Sequence, residues 1–292
     1  MKKWMPCFLP GPTLGGILCT LLLSSGSMAE THTAAIGQYG SQNLANAVQT
    51  ESRSSHIQIM TQGEHSQAAA TQSASDHVSA RIEQTNANAT VTTIEQRKTS
   101  LSSVFVTQFN STVASGSVIQ QDSTQDDAQV FQSHSVMSQA HISQTTTDRS
   151  AAMISQMHTT DSLSVIEQSN AASSTAHIEQ AATPLSHAQI HQQDTVNAKA
   201  TIRQRDSHLM GAQHSQITQH NGEGATGWAD QAGDNNTSLI HQQNDLNQAR
   251  VQQHSSPATA SGNDALIFQS SGANGARIIQ FGNGNHANIH QF

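Results

Sequence analysis

The sequence predicts an all-β fold: a β-solenoid of about eleven stacked coils, each a strand, an arc and a second strand, with amyloid-like cross-β stacking. Three observations carry that expectation. Glutamine recurs at a constant step of twelve residues through Gln72, Gln84, Gln96, Gln108, Gln120, Gln132, Gln144, Gln156, Gln168, Gln180, Gln192 and Gln204. Two residues before each of them stands Ile or Val, with Ala70 the departure, and four before stands a small residue, with Val104 the departure. Only 3% of the chain is aromatic and 11% charged, so a core built on large side chains is not available. Such a composition by itself suits a disordered polar chain, but disorder has no reason to hold one parity over more than a hundred residues.

Residues i, i+2 and i+4 of a strand share one face, so each unit reads small, β-branched, glutamine on one side and polar on the other. A dozen residues is too short for a helical hairpin or a propeller blade and long enough for one strand plus a tight arc.

Taken in order, residues 1–29 read as a secretory signal: Lys2 and Lys3, an apolar run around Leu14 to Leu23, then Ser27-Met28-Ala29 as the cleavage site. Cys7 and Cys19 both lie in that segment, and the bulky Leu18 before Cys19 makes a lipid anchor the minority reading. The exported chain 30–292 then carries no disulfide and, past the leader, no apolar run long enough for a membrane helix. Eleven-residue arms come first over 34–49, with Ala34, Ile36, Gln38 and then Ala45, Ala47, Gln49 facing inward. Gly40 and Asn43 occupy the arc between them, where a tight reversal favours residues that tolerate positive φ. Arm three ends at Thr61 in place of glutamine, and twelve-residue arms run from 68 to 204.

After Gln204 the register is interrupted. Either Ala212, His214 and Gln216 or Ser215, Ile217 and Gln219 continue it, with Arg205 to Gly211 bulging out. Arms end next at Gln231 and, in steps of eleven, Gln242 and Gln253, with Trp228 pointing outward. A loop at His254 to Asp264 precedes Gln269, Gln280 and Gln291. About twenty-two arms give a rod on the order of 50 Å long, its thin interior filled by Ala, Ile or Val and laddered amides.

The spacing Gln38-x-Gly40-x-x-Asn43-x-Ala45-x-x-x-Gln49 resembles the curlin repeat, and so does Gln280-x-Gly282-x-x-Asn285-x-Ala287-x-x-x-Gln291. Gln231, Gly233, Asn236 and Ser238 fit with Ser for Ala; the middle of the chain fits loosely. The resemblance implies a subunit of an extracellular curli-like amyloid fibre, nucleator-like in its Ala-x-Ile-x-Gln arms, serving adhesion and biofilm structure. It also implies export through a dedicated outer-membrane pore and partners that are further copies and other curlin-like subunits. The glutamines named above form the expected structural ladder, and Gly40, Asn43, Gly233, Asn236, Gly282 and Asn285 the expected arcs.

Open end coils would present unpaired N–H and C=O rows that template another chain, unless a partner caps them. The chain contains 17 histidines, but those at 141, 177, 191, 241 and 290 fall at outward positions without zinc-like spacing, so no metal or other cofactor is expected. Glu83, Glu95, Glu167 and Glu179 read as outward charges on separate coils rather than a glycosidase pair. The net charge of -8 leaves no basic stripe for nucleic acid, and no phosphate loop or nucleophile elbow points to an enzyme or a small-molecule substrate. The alternatives are a secreted solenoid adhesin that does not polymerise and, less well supported, an ice-binding solenoid, for which an outward Thr row is missing.

Overall fold

The computed structural model describes residues 18–24, 32–207, 211–256 and 261–292. Among them there is no helix, and 23 strands form two sheets, all of whose pairings are parallel. One twelve-stranded sheet takes the odd strands in order: β1 (Leu18–Ser24), β3 (Leu44–Thr50), β5 (Gln67–Ser73), β7 (Val91–Arg97), β9 (Ser115–Gln121), β11 (Gln139–Thr145), β13 (Leu163–Ser169), β15 (His187–Gln193), β17 (His214–His220), β19 (Thr237–Gln243), β21 (Asp264–Gln269) and β23 (His286–Gln291). The eleven-stranded sheet takes the even ones: β2 (Thr33–Ser41), β4 (His56–Glu64), β6 (Ser79–Asn88), β8 (Ser103–Phe109), β10 (Asp127–Ser133), β12 (Ala151–Met157), β14 (Thr175–Ala181), β16 (Lys199–Arg205), β18 (Thr226–Ala232), β20 (Gln248–His254) and β22 (Gly275–Phe281). From β2 onward each even strand and the odd strand after it make one coil. The chain is the β-solenoid that its periodicity predicts.

Strands form here because alternate residues have something to bury. In β12 the inward set is Ala152, Ile154 and Gln156, all buried, while Met153 faces out. Stacking is like on like: Ala152 pairs with Ala176, Ile154 with Ile178 and Gln156 with Gln180. Among the described residues the largest fully buried side chains are all Ile, from Ile57 to Ile267, and they alternate with small buried Ala in the core. A branched Cβ suits an extended backbone and loses little rotamer freedom there, which favours Ile over longer side chains.

Arm three behaves as expected, with Ile57, Ile59 and Thr61 buried in β4. Where its short arc meets the longer arc above, the register of β4 on β6 slips by one residue between Gln62 and Gly63, a β-bulge that absorbs the change of period. Past Gln204 the structure chooses Ser215, Ile217 and Gln219: Ile217 pairs with Ile190 and Gln219 with Gln192. Both interruptions fall where expected, between β16 and β17 and between β20 and β21. The expected cleavage point after Ala29 lies outside the described residues. Leu18–Ser24, part of the apolar run that the sequence suggests is a leader's, forms β1 and pairs along the full length of β3. β3 is therefore covered on its outer edge, whereas among the described residues β2 pairs with β4 alone.

Candidate functional site

The inward glutamines form two continuous amide ladders, one per sheet. In the odd sheet each side chain donates Nε2–H to the next Oε1 toward the C-terminus, from Gln49 through Gln72, Gln96, Gln120, Gln144, Gln168, Gln192, Gln219, Gln242 and Gln269 to Gln291, at 2.7–3.1 Å. The even ladder runs from Gln84 through Gln108, Gln132, Gln156, Gln180, Gln204, Gln231 and Gln253 to Gln280 at 2.8–3.0 Å. The amides also donate across the core to the facing strand's backbone: Gln72 to the carbonyl of His56 at 3.1 Å and Gln204 to that of His187 at 3.1 Å. With both hydrogens and the oxygen engaged, a buried amide escapes most of the penalty for leaving water.

Gln219, one of the two continuations that the inserted segment leaves open in the sequence, is the one that joins the ladder. Gln38 stands apart. Thr61 lies between it and Gln84, and its short hydroxyl reaches only upward, donating to Gln84 Oε1 at 3.2 Å. Both polar atoms of the Gln38 amide are left without a partner.

The arcs divide the work differently from the sequence expectation. Gly40, Gly233 and Gly282 do have positive φ, at +107°, +86° and +90°. A Cβ on Gly233 would also fall 2.1 Å from the carbonyl oxygen of Ser255. The second positive φ, however, belongs to the residue before each asparagine: Gln42, Asn235 and Gly284. Asn43 and Asn236 instead point inward and are buried. Asn236 donates to the carbonyl of Ala232 at 2.8 Å and accepts from the N–H of Asn263 at 3.1 Å. Asn43 does the same with the carbonyls of Tyr39 and Gly63, each at 2.9 Å, and the N–H of Ser66 at 3.1 Å. Asn285 donates to the carbonyl of Phe281 at 2.8 Å and to Asn263 Oδ1 at 3.0 Å. These amides satisfy arc groups that no strand partner reaches.

The twelve-residue arms add one residue to the arc, and it makes a backbone bridge to the arcs above and below. One such series runs Arg53, Asp76, Ser100, Thr124, Asp148, Ala172, Val196, Glu223. The residues on either side of the bridge pair are buried and small: Thr99 and Ser102, Ser135 and Ser138, Thr183 and Ser186. That regularity, a small residue three and six positions after each register Gln, is a second signal in the sequence that the parity argument passed over. Two members depart from it, Val78 and Asp126. Asp126 is buried in this column, accepts from the N–H of Ser150 at 2.8 Å and from Thr147 Oγ1, and burial pushes its carboxyl above the usual range.

On the outer faces, Glu83, Glu95, Glu167 and Glu179 each have a neighbour of opposite or ionisable character: Arg81, Arg97, His191 and Arg203, at 2.7–3.1 Å. Glu83 and Glu95 share one coil, contrary to expectation, but lie on opposite sheets. The outward histidines are more covered than their parity suggests. His141 and His177 are half-buried between neighbouring strands, and this burial, the largest cause, lowers their pKa against the opposing pull of Glu167 and Glu179. His241, Phe268 and His290 stack as one column, the first two rings 4.9 Å apart. Among the described residues no three His, Cys, Asp or Glu side chains converge as a metal site.

The arrangement offers hydrogen-bond donors and acceptors along the stacking axis. No curated protein matches the chain. Residues 260–292, which contain the Gln269-to-Gln280 and Gln280-to-Gln291 arms, match the family model of the curlin associated repeat, and the curlin resemblance of the chain rests on that match and on the spacing of those arms.

Proposed function

We propose that the chain is a structural subunit of an extracellular curli-like fibre, exported after loss of residues 1–29 and added end to end on earlier copies, with cell adhesion and biofilm matrix as the outcome. What carries the reading is the polarity of the ladders at the two extremities. At the C-terminal end Gln280 and Gln291 donate one hydrogen each to the backbone, at 2.9 and 3.2 Å to Asp264 and Gly275, and the second hydrogen of each amide is left for the stacking direction in which the ladders run. At the N-terminal end Gln49 Oε1 and both polar atoms of Gln38 have no partner. Donors at one end and acceptors at the other favour head-to-tail addition, β22 on β2 and β23 on β3. A contact of that kind does not close on itself and propagates as a filament. The second contact requires β1 to leave β3, which removal of the leader accomplishes.

The laddered glutamines are, in this reading, the functional residues, and the partners are other copies, related subunits and a secretion pore. The test is dilution of denatured residues 30–292 into buffer. Growth of thioflavin-positive material after a lag that preformed seeds abolish is the expected result. The full chain, with β1 in place, should elongate more slowly. Monomer that persists with seeds present rejects the fibre and leaves the non-polymerising adhesin.

A further inference from the structure

The outer face of the even sheet near its C-terminal end gathers residues that the sequence scatters. Register alignment sets Thr226, Gln248 and Gly275 in one outward row and Trp228, Arg250 and Arg277 in the next. Lys199 extends the first row by one strand. The two rows enclose a groove of about 590 Å³ whose floor is Ala249 and Ala276. Gly275 leaves it open, since a Cβ there would meet nothing within 4 Å.

The charges in this groove differ from those beside it. Arg203 pairs with Glu179 at 2.9 Å, and Arg205 grips Asp230 through both carboxylate oxygens at 3.0 and 3.1 Å. Arg250 and Arg277 have no carboxylate partner among the described residues, and the only ring contact is that of Arg250, whose guanidinium carbon lies 4.2 Å above the Trp228 ring. Stacking on the indole holds one guanidinium in place while its N–H fork stays available. The two exposed arginines are register partners on adjacent strands, whose backbones lie about 4.8 Å apart along the stacking axis.

We propose that this groove binds a linear polysaccharide bearing carboxylates, of the polyuronate kind. The forks of Arg250 and Arg277 match successive carboxylates bidentately. The free edge of Trp228 packs against an apolar sugar face, and Gln248 and Thr226 supply the neutral donors and acceptors that hydroxyls need. The groove crosses the strands along the axis, which suits an extended chain rather than a compact ligand. Charge decides against nucleic acid. The chain carries a net charge of -8, so its long-range field opposes any polyanion, and duplex DNA with a charge per ~1.7 Å of axis more than a polyuronate, whose one carboxylate per sugar local contacts can hold. The site is independent of whether the chain polymerises.

The experiment uses the full chain carrying Trp4→Phe, which leaves Trp228 as the single indole. Its emission is followed during titration with polygalacturonate, with the fully methyl-esterified polymer, and with oligo(dT). Polygalacturonate should shift the emission saturably, and esterification, which removes the charge and keeps the sugar, should weaken binding by roughly tenfold or more. Arg250→Gln with Arg277→Gln should lose a similar factor, whereas Arg149→Gln, at an exposed arginine paired with Asp148 on another part of the surface, should change nothing. Equal binding of ester and acid, no emission change with any polymer, or an unaltered double variant overturns the assignment. Tighter binding of oligo(dT) overturns it in favour of a single-stranded nucleic-acid groove. Should the double variant lose its β-sheet circular dichroism, the three polymers on the parent chain still decide.

Discussion

Between β14 and β15 the chain turns its corner through five residues, 182–186; between β18 and β19 it turns through four, 233–236. The longer arc has ordinary residues at its two positive-φ positions, Ala182 and Leu185, and pairs its own backbone with the arc of the preceding coil through Pro184 and Thr160. The shorter arc has no such bridge, relies on Gly233 for the first reversal and closes its hydrogen bonds with the side chain of Asn236. When the backbone pairs with itself, side chains at the corner need only be small. When it does not, one particular amide must be present. The curlin match over residues 260–292 lies where register glutamines are eleven apart, Gln269 to Gln280 to Gln291, and where Asn274 and Asn285 stand in the arcs, while the central arcs carry Ser, Thr and Ala.

The largest effect that would break this comparison is at Asn247. It is buried, donates to the carbonyls of Gln243 at 2.6 Å and Asn244 at 3.3 Å, and accepts from the N–H of Asn274 at 3.2 Å. Asn247→Ala strands backbone groups on both sides, at a cost of about 2–4 kcal/mol. Ser162→Ala, at a central corner, should cost under about 1 kcal/mol, because Ala114, Ala198 and Ala225 already fill the equivalent place in other coils. Chemical unfolding followed by circular dichroism compares the two. Equal losses would mean that the arcs do not differ as argued.

Asp126 tests the converse, a demanding side chain in an undemanding corner. Ser102, Ser150 and Ser174 occupy its column. Burial, the largest cause, raises its carboxyl above the ordinary 3.8, so the folded chain holds the proton more tightly than the unfolded chain does. The charge therefore burdens the fold. That burden is absent below pH 3.8, grows as pH rises to the folded value and is constant above it. Asp126→Ser should raise stability at pH 7 by on the order of 1 kcal/mol, and the gain should vanish on acidification below 3.8. A gain that is equal at both pH values would assign the effect to packing instead.

What the sequence makes legible follows from range. Parity along a strand is local, so Ile154 and Gln156 declare their inward face within a few residues, and a fixed step stacks them on Ile178 and Gln180. A loop of arbitrary length erases that step, which is why Gln219 and Gln216 remained equal candidates. Corner asparagines look like turn formers by propensity, yet at Asn43 and Asn236 it is the side-chain amide that matters and the neighbour that takes the αL backbone. The groove at Trp228 is further out of reach. Its rows join residues 22 and 27 positions apart, so its charge pattern exists only once register is known.

The smallest expected effect concerns the strain that central corners tolerate. Val113 has φ +53° and is 54% exposed, a β-branched residue in a left-handed conformation with little packing to justify it. In the short arc of β18 and β19 the equivalent position is Asn235, whose side chain suits that backbone. Val113→Asn should therefore stabilise the chain by about 1 kcal/mol, with no change in the bridges that Thr112 makes to Asn88 and Val136. Because Val113 is exposed, no core contact is lost to offset the gain. Chemical unfolding that shows no gain would mean that the stacked bridges, rather than the residue's own preference, set the backbone there. In that case Leu101 and Leu185, at φ +54° and +53°, should be equally indifferent to Asn.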